Sequence, residues 1–191
     1  MDDLNYDRSV PRRSDGTRQD QRPQQDWPKD RPFKLLSIDG GGIRGLLPAL
    51  FLEGLEKRFL NNEPIGRHFD MIVGTSTGGI IALGLGSGMR ASEIAKVYLE
   101  RGNVIFPKAG PISRHWRRIK GYVGTIYDSK VLESELRRIF QDRTFGESAV
   151  PLCIPSFDGR YSEPYIFKTP HHPDYKRDGR ERMVDVALST A

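Results

Sequence analysis

The chain has 191 residues, 37% hydrophobic and 29% charged, with a formal net charge of +5 and one cysteine, which suits a single ordinary globular domain rather than two. A lone cysteine excludes an internal disulfide and fits a reducing cytosol. No stretch reaches the roughly 18 uninterrupted apolar residues of a membrane span, the N-terminus lacks the apolar core of a signal peptide, and a small charge excess with no recognised module argues against nucleic-acid binding.

The first 31 residues stand apart. They are dense in Arg, Asp, Gln and Pro with almost no aliphatic side chains, so they cannot bury enough apolar surface to offset the entropy of ordering. Their seven acids and seven bases cancel, so the net charge of +5 belongs to residues 32–191. The expected organisation is a disordered polar tail, 1–31, and one domain, 32–191. "FKLLSI" (33–38) is a continuous apolar run between proline and glycine, the pattern of a strand buried on both faces. Residues 45–59 switch to helical spacing, with Leu46, Leu50, Leu52, Leu55 and Phe59 apolar and Pro48 tolerated near the start. "FDMIVGTS" (69–76) is a second buried strand. It turns at once into "TGGIIALGLG" (77–86), apolar all round and hence a buried helix.

Two amphipathic helices come next: "ASEIAKVYLERG" (91–102), with Ser92 able to cap it and Gly102 to end it, and "DSKVLESELRRIF" (128–140), with Asp128 as cap. "AVPLCIPSF" (149–157) and "PYIFKT" (164–169) read as strands, Cys153 being a core residue of the first, and "MVDVALSTA" (183–191) opens a last helix. Strands alternating with helices predict an α/β layered fold, a mainly parallel central sheet flanked by helices.

Two glycine motifs carry the chemistry. "GTSTGG", Gly74 to Gly79, fits G-x-S-x-G at a strand-to-helix junction. A chain that turns from strand to helix within one residue leaves Ser76 strained at the apex, and side chains at Gly74 and Gly78 would collide across the turn. The Ser76 hydroxyl is then presented at the positive end of a helix, where developing negative charge is favoured.

"DGGGIRG", Asp39 to Gly45, lies between the first strand and its helix. Gly40, Gly42 and Gly45 satisfy G-x-G-x-x-G, so a dinucleotide site is formally open. That site wants an acid at the end of the next strand, where Ser76 stands instead, and Asp39 would oppose a pyrophosphate. An oxyanion hole explains both motifs with one site: N–H groups of Gly40, Gly41 and Gly42 face the oxygen that becomes negative when Ser76 attacks a carbonyl.

"DGGGIRG" followed about thirty residues later by "GTSTGG" resembles the patatin-like phospholipases, lipid acyl hydrolases related to cytosolic phospholipase A2. The resemblance runs from Phe33 to Ala191 and is looser in "YDSKVLESELRRIF" and "VDVALSTA". It implies a patatin-like fold and a Ser-Asp dyad that needs neither histidine, metal nor organic cofactor. Ser76 would be the nucleophile, and Gly40, Gly41 and Gly42 with Arg44 nearby the oxyanion loop. It also implies a membrane phospholipid or other lipid ester as substrate; the expected location is cytoplasmic, with peripheral contact at membranes left open.

The family's aspartate, in a D-G-G or D-G-A motif, comes after the segment matched by "VDVALSTA". On this reading it falls beyond residue 191, and the 191 residues are the N-terminal part of a domain truncated at its C-terminus. Asp158-Gly159 and Asp178-Gly179 precede that segment and read as turns. A catalytically silent lipid-binding fragment and a Ser-His-Asp esterase stay open as alternatives. For the latter the histidines are His68, His115, and His171 and His172 in a polar loop suggesting solvent exposure; none has zinc-ligand spacing. "KAGPISRHWRRIK" (108–120) has five bases, no acid and a central Trp116, and reads as a solvated loop or as a surface for anionic lipid.

Overall fold

A computed structural model describes residues 27–105 and 129–191, apart from positions 173 and 176. The basic segment 108–120, His115, the expected cap Asp128 and residues 1–26 of the polar tail lie outside the described residues.

Among the described residues four strands and five helices follow in the order β1 (Leu35–Ile38), α1 (Leu46–Phe59), β2 (Met71–Gly74), α2 (Thr77–Gly86), α3 (Ala91–Ile105), α4 (Ser129–Phe140), β3 (Leu152–Asp158), β4 (Glu163–Lys168) and α5 (Met183–Thr190). The sheet order is β1-β2-β3-β4. Leu35 to Ile38 run parallel to Met71 to Gly74, Ile72 and Val73 pair in parallel with Leu152 and Cys153, and β4 closes antiparallel as a hairpin. The parallel α/β layering is as expected. Asp158-Gly159 makes the hairpin turn, with Asp158 Oδ1 accepting the N–H groups of Arg160 and Tyr161.

Helix α2 packs on the sheet as the most buried element, with Ile81 and Leu83 fully covered and Leu85 nearly so. Burying such a side chain contributes about 1.5–3 kcal/mol, and an all-apolar helix has no face to offer water. α1 lies against α3. Their junction is tied by the buried Glu56, whose carboxylate accepts the N–H of Ile65 and, with both oxygens, that of Ala91 at 2.9 Å. The cap of α3 is therefore a carboxylate 35 residues upstream rather than Ser92. Gly102 lies inside α3, where a Cβ would stand 2.5 Å from Ile43 Cδ1; it permits a close approach and does not end the helix.

Several expectations from local pattern are corrected by the packing. β1 is a sheet edge among the described residues, and Leu35 is 53% exposed, so its apolar run is covered on one face only. On α1, Leu50 and Phe59 face outward while Ala49, Leu52 and Glu56 face in. Long-range contacts are also made by residues 27 and 31, ahead of the expected domain start at 32. Trp27 packs edge-on against Phe33 and His171, and Arg31 makes a two-point ion pair with Asp70, whose Oδ2 also accepts the Lys34 N–H. Composition missed these anchors because each works by pairing with residues far along the chain.

Candidate active site

β1 and β2 run side by side and end level, Ile38 opposite Gly74. The loops that leave them therefore meet at one edge of the sheet, which joins "DGGGIRG" to "GTSTGG". After Gly74 the chain turns into α2 through Thr75 and Ser76. Ser76 takes φ 53° and ψ −127°, a region that non-glycine residues occupy only under constraint. The constraint is visible at its neighbours: a Cβ on Gly74 would lie 2.2 Å from the Gly78 carbonyl oxygen, and one on Gly78 would lie 2.1 Å from that of Ile38. Only hydrogen fits at either position. The turn is closed by the Gly78 N–H donating to Thr75 O and the Ile80 N–H to Ser76 O, so Ser76 occupies the N-cap position of α2 without a side-chain capping bond, half-buried and still within reach of solvent.

The glycine loop lies directly against this serine. A Cβ on Gly40 would come within 2.7 Å of Ser76 Cβ and 3.4 Å of its Oγ. Gly42 adopts φ 59°, a left-handed conformation natural to glycine, and the Arg44 N–H donates to Gly41 O to close the loop into a short 3-10 turn, Gly42–Gly45. Two contacts that the sequence does not announce fix its height. The Gly41 N–H donates to Thr77 Oγ1 at 3.0 Å, and the buried Tyr98 lies beneath Gly45 while its hydroxyl donates to the Thr77 carbonyl at 3.3 Å. Burial pushes the Tyr98 hydroxyl far above its ordinary pKa, which keeps it a donor. Among the described residues the Gly40 and Gly42 N–H groups have no acceptor. Thr77 is legible in the sequence only as a polar residue opening an otherwise apolar helix.

The Arg44 side chain is exposed beside a groove of about 370 Å³ that runs along β1 and is lined by Ile38, Asp39, Gly40, Arg44, Pro48 and Phe51. No group of three or more metal-ligating side chains occurs among the described residues. No helix among them is long and apolar enough to cross a membrane.

The other candidates sit elsewhere. Asp158 is spent on its turn, and Asp178 is buried with its oxygens accepting from the Tyr165 hydroxyl and the Lys168 N–H. His68 closes a 3-10 turn ahead of β2, at the end of that strand opposite Ser76. His171 is not exposed as its polar loop suggested: it is 4% exposed, its Nδ1 lies 2.9 Å from Thr169 Oγ1, and its ring packs between Trp27 and Tyr175. His172 faces Asp174 at the surface. Cys153 is half-buried, and burial raises its thiol pKa, which favours the protonated thiol.

Similarity to known proteins extends over both motifs. The family model described as patatin-like phospholipase matches residues 36–191. The chain is 37% identical over 169 residues to a cGAMP-activated phospholipase of Vibrio cholerae, covering 83% of this chain and 47% of that protein. It is 36% identical over 172 residues to patatin-like protein 2 of Arabidopsis thaliana, covering 82% and 41%. A crystal structure of the type III effector protein ExoU overlaps 84% of this chain and 39% of its own, at 14% identity and a TM-score of 0.46. The chain thus spans less than half the length of the relatives it matches here. By the reach of that match and the order of its motifs, it belongs to the patatin-like phospholipase family.

Proposed function

We propose that this chain carries the nucleophile and oxyanion loop of a serine lipid acyl hydrolase acting on membrane phospholipid or a related lipid ester at the membrane surface. Ser76 Oγ attacks the ester carbonyl, its proton leaves to a general base, and the resulting oxyanion is held by loop N–H groups. Collapse breaks the C–O bond to the alcohol, which leaves with the proton held by the base, and an acyl-Ser76 ester remains; water then gives a proton to the base and attacks that ester, and collapse releases the fatty acid as Ser76 Oγ takes the proton back. With the Gly41 N–H already donated to Thr77, the free amides of Gly40 and Gly42 take the oxyanion role, and the N-terminus of α2 adds its dipole. Arg44 borders the same groove as a cation for a phosphate group.

The observation that carries this reading is the strained Ser76 lying in contact with Gly40. The base is proposed to be the aspartate of the family's D-G-G or D-G-A motif, beyond residue 191. The engagement of Asp158 and Asp178 in structural hydrogen bonds supports placing it there.

The test compares this chain with a form extended past Ala191 and with Ser76→Ala in the extended form, on phospholipid vesicles, with and without the cGAMP named for the bacterial relative. Fatty acid release by the extended form that disappears in Ser76→Ala is expected. Release that survives Ser76→Ala refutes the reading.

A further inference from the structure

We propose that Thr190, in the last turn of α5, is a positioning residue that sets the orientation of Ser76; the inference rests on the reading of Ser76 as nucleophile. The β1–β2 ladder ends at Gly74, the Thr75 N–H donates to Ile38 O, and the Ser76 N–H has no strand to pair with. Thr190 Oγ1 accepts that N–H at 2.9 Å and donates its own proton to the Pro155 carbonyl at 2.6 Å.

A hydroxyl has one proton to give. Its use on Pro155 turns the lone pairs toward Ser76, so one oxygen joins the elbow, β3 and α5. The join is stiff on all three sides. Pro155 lies within β3 and is paired with Ile166. The Ser156 hydroxyl donates to the Ser189 carbonyl one residue before Thr190. Thr190 Cγ2 sits where a Cβ on Gly79 would be 2.8 Å away, so α5 touches α2 at the turn after the nucleophile.

Ser76 keeps its φ of 53° only while its surroundings over-determine it. The neighbouring glycines prevent collision but do not hold the serine. Thr190 holds it from the N–H side, which fixes the Cα–Cβ direction and hence the position of Oγ over Gly40. A displacement of about 1 Å in such a site costs on the order of 10²-fold in rate.

Thr190→Val keeps the shape and removes both hydrogen bonds, whereas Thr190→Ser keeps the hydroxyl. Each is compared with wild type and Ser76→Ala for turnover of a p-nitrophenyl acyl ester in the extended form, for fluorophosphonate labelling, and for hydrogen exchange at the Ser76 amide. The valine variant is expected to lose about 10–100-fold in kcat and labelling rate with KM unchanged, to exchange the Ser76 amide at least tenfold faster, and to be rescued by serine. Wild-type rates and exchange in Thr190→Val overturn the proposal, as does a serine variant no better than valine. If wild type and Ser76→Ala label alike, the nucleophile reading fails by itself and amide exchange alone decides the anchor. If the valine variant does not fold, a wild-type Ser76 amide that exchanges as fast as an exposed one overturns it.

Discussion

Gly40→Ala separates the placement of the glycine loop from the integrity of the fold. A Cβ at Gly40 would sit 2.7 Å from Ser76 Cβ and 2.9 Å from the Thr75 carbonyl oxygen. Carbon atoms rest at about 3.5–4.0 Å from one another, so the loop must retreat from the serine by roughly 1 Å. Gly40 is exposed, and such a loop can yield outward without opening the core. The predicted outcome is a misplaced set of oxyanion donors on an intact domain. A 1 Å error in such a site costs on the order of 10²-fold in rate, about 2.7 kcal/mol of transition-state stabilisation. The assay is the second-order rate constant for fluorophosphonate labelling, measured beside a thermal melt of the same sample. Labelling roughly 100-fold slower with a melting temperature lowered by only a few degrees is expected. Labelling within threefold of wild type would refute the reasoning, because it would mean that the loop can leave Ser76 without consequence.

Other substitutions probe other parts of the structure. Gly78→Ala would put a Cβ 2.1 Å from the buried carbonyl oxygen of Ile38, backbone that cannot swing aside; loss of the cooperative melt by circular dichroism is expected, and a native melt would contradict the packing. Glu56→Ala leaves the Ile65 and Ala91 N–H groups buried without an acceptor and should cost about 3 kcal/mol in urea unfolding, whereas a change below 1 kcal/mol would show that water replaces the carboxylate. Arg31→Ala should destabilise the fold only modestly at pH 7, because the Arg31 side chain is 46% exposed and solvent screens the pair. Its hydrogen bond, with that of the Lys34 N–H, lowers the Asp70 pKa to about 2. A depressed carboxylate stabilises the fold above its unfolded value of about 3.9 and loses that contribution as pH falls. The gap between wild type and Arg31→Ala should therefore close between about pH 4 and 2, and a gap undiminished at pH 2 would contradict the assignment.

The helices and strands are legible in the sequence because each carries its own signal. α2 is apolar on every side, β2 is a short apolar run, and β3 and β4 flank an Asp-Gly turn. The need for glycine at the elbow is equally readable: a Cβ on Gly74 would stand 2.2 Å from the Gly78 carbonyl oxygen. What local pattern could not supply is partnership. β1 looks like any two-sided buried strand, yet among the described residues it is an edge strand and Leu35 is exposed. His171 lies in a polar loop yet is covered by Trp27 and Tyr175. Arg31 and Trp27 sit in a stretch with few aliphatic residues, yet Arg31 pairs with Asp70 and Trp27 packs against Phe33 and His171. Thr77 and Thr190 bond to Gly41 and to Ser76, 36 and 114 positions away, and no spacing rule connects them.

The central claim is that Ser76 is the nucleophile, and the most direct measurement is where an acylating or phosphonylating probe lands. After fluorophosphonate treatment, the tryptic peptide of residues 68–90 contains Ser76 and also Thr75, Thr77 and Ser87, so fragment ions must assign the adduct within it. The account predicts a single adduct on Ser76 and none on that peptide in Ser76→Ala. An adduct on Ser87 or outside residues 68–90, or an unlabelled Ser76 in the extended form while that form hydrolyses lipid esters, would contradict it.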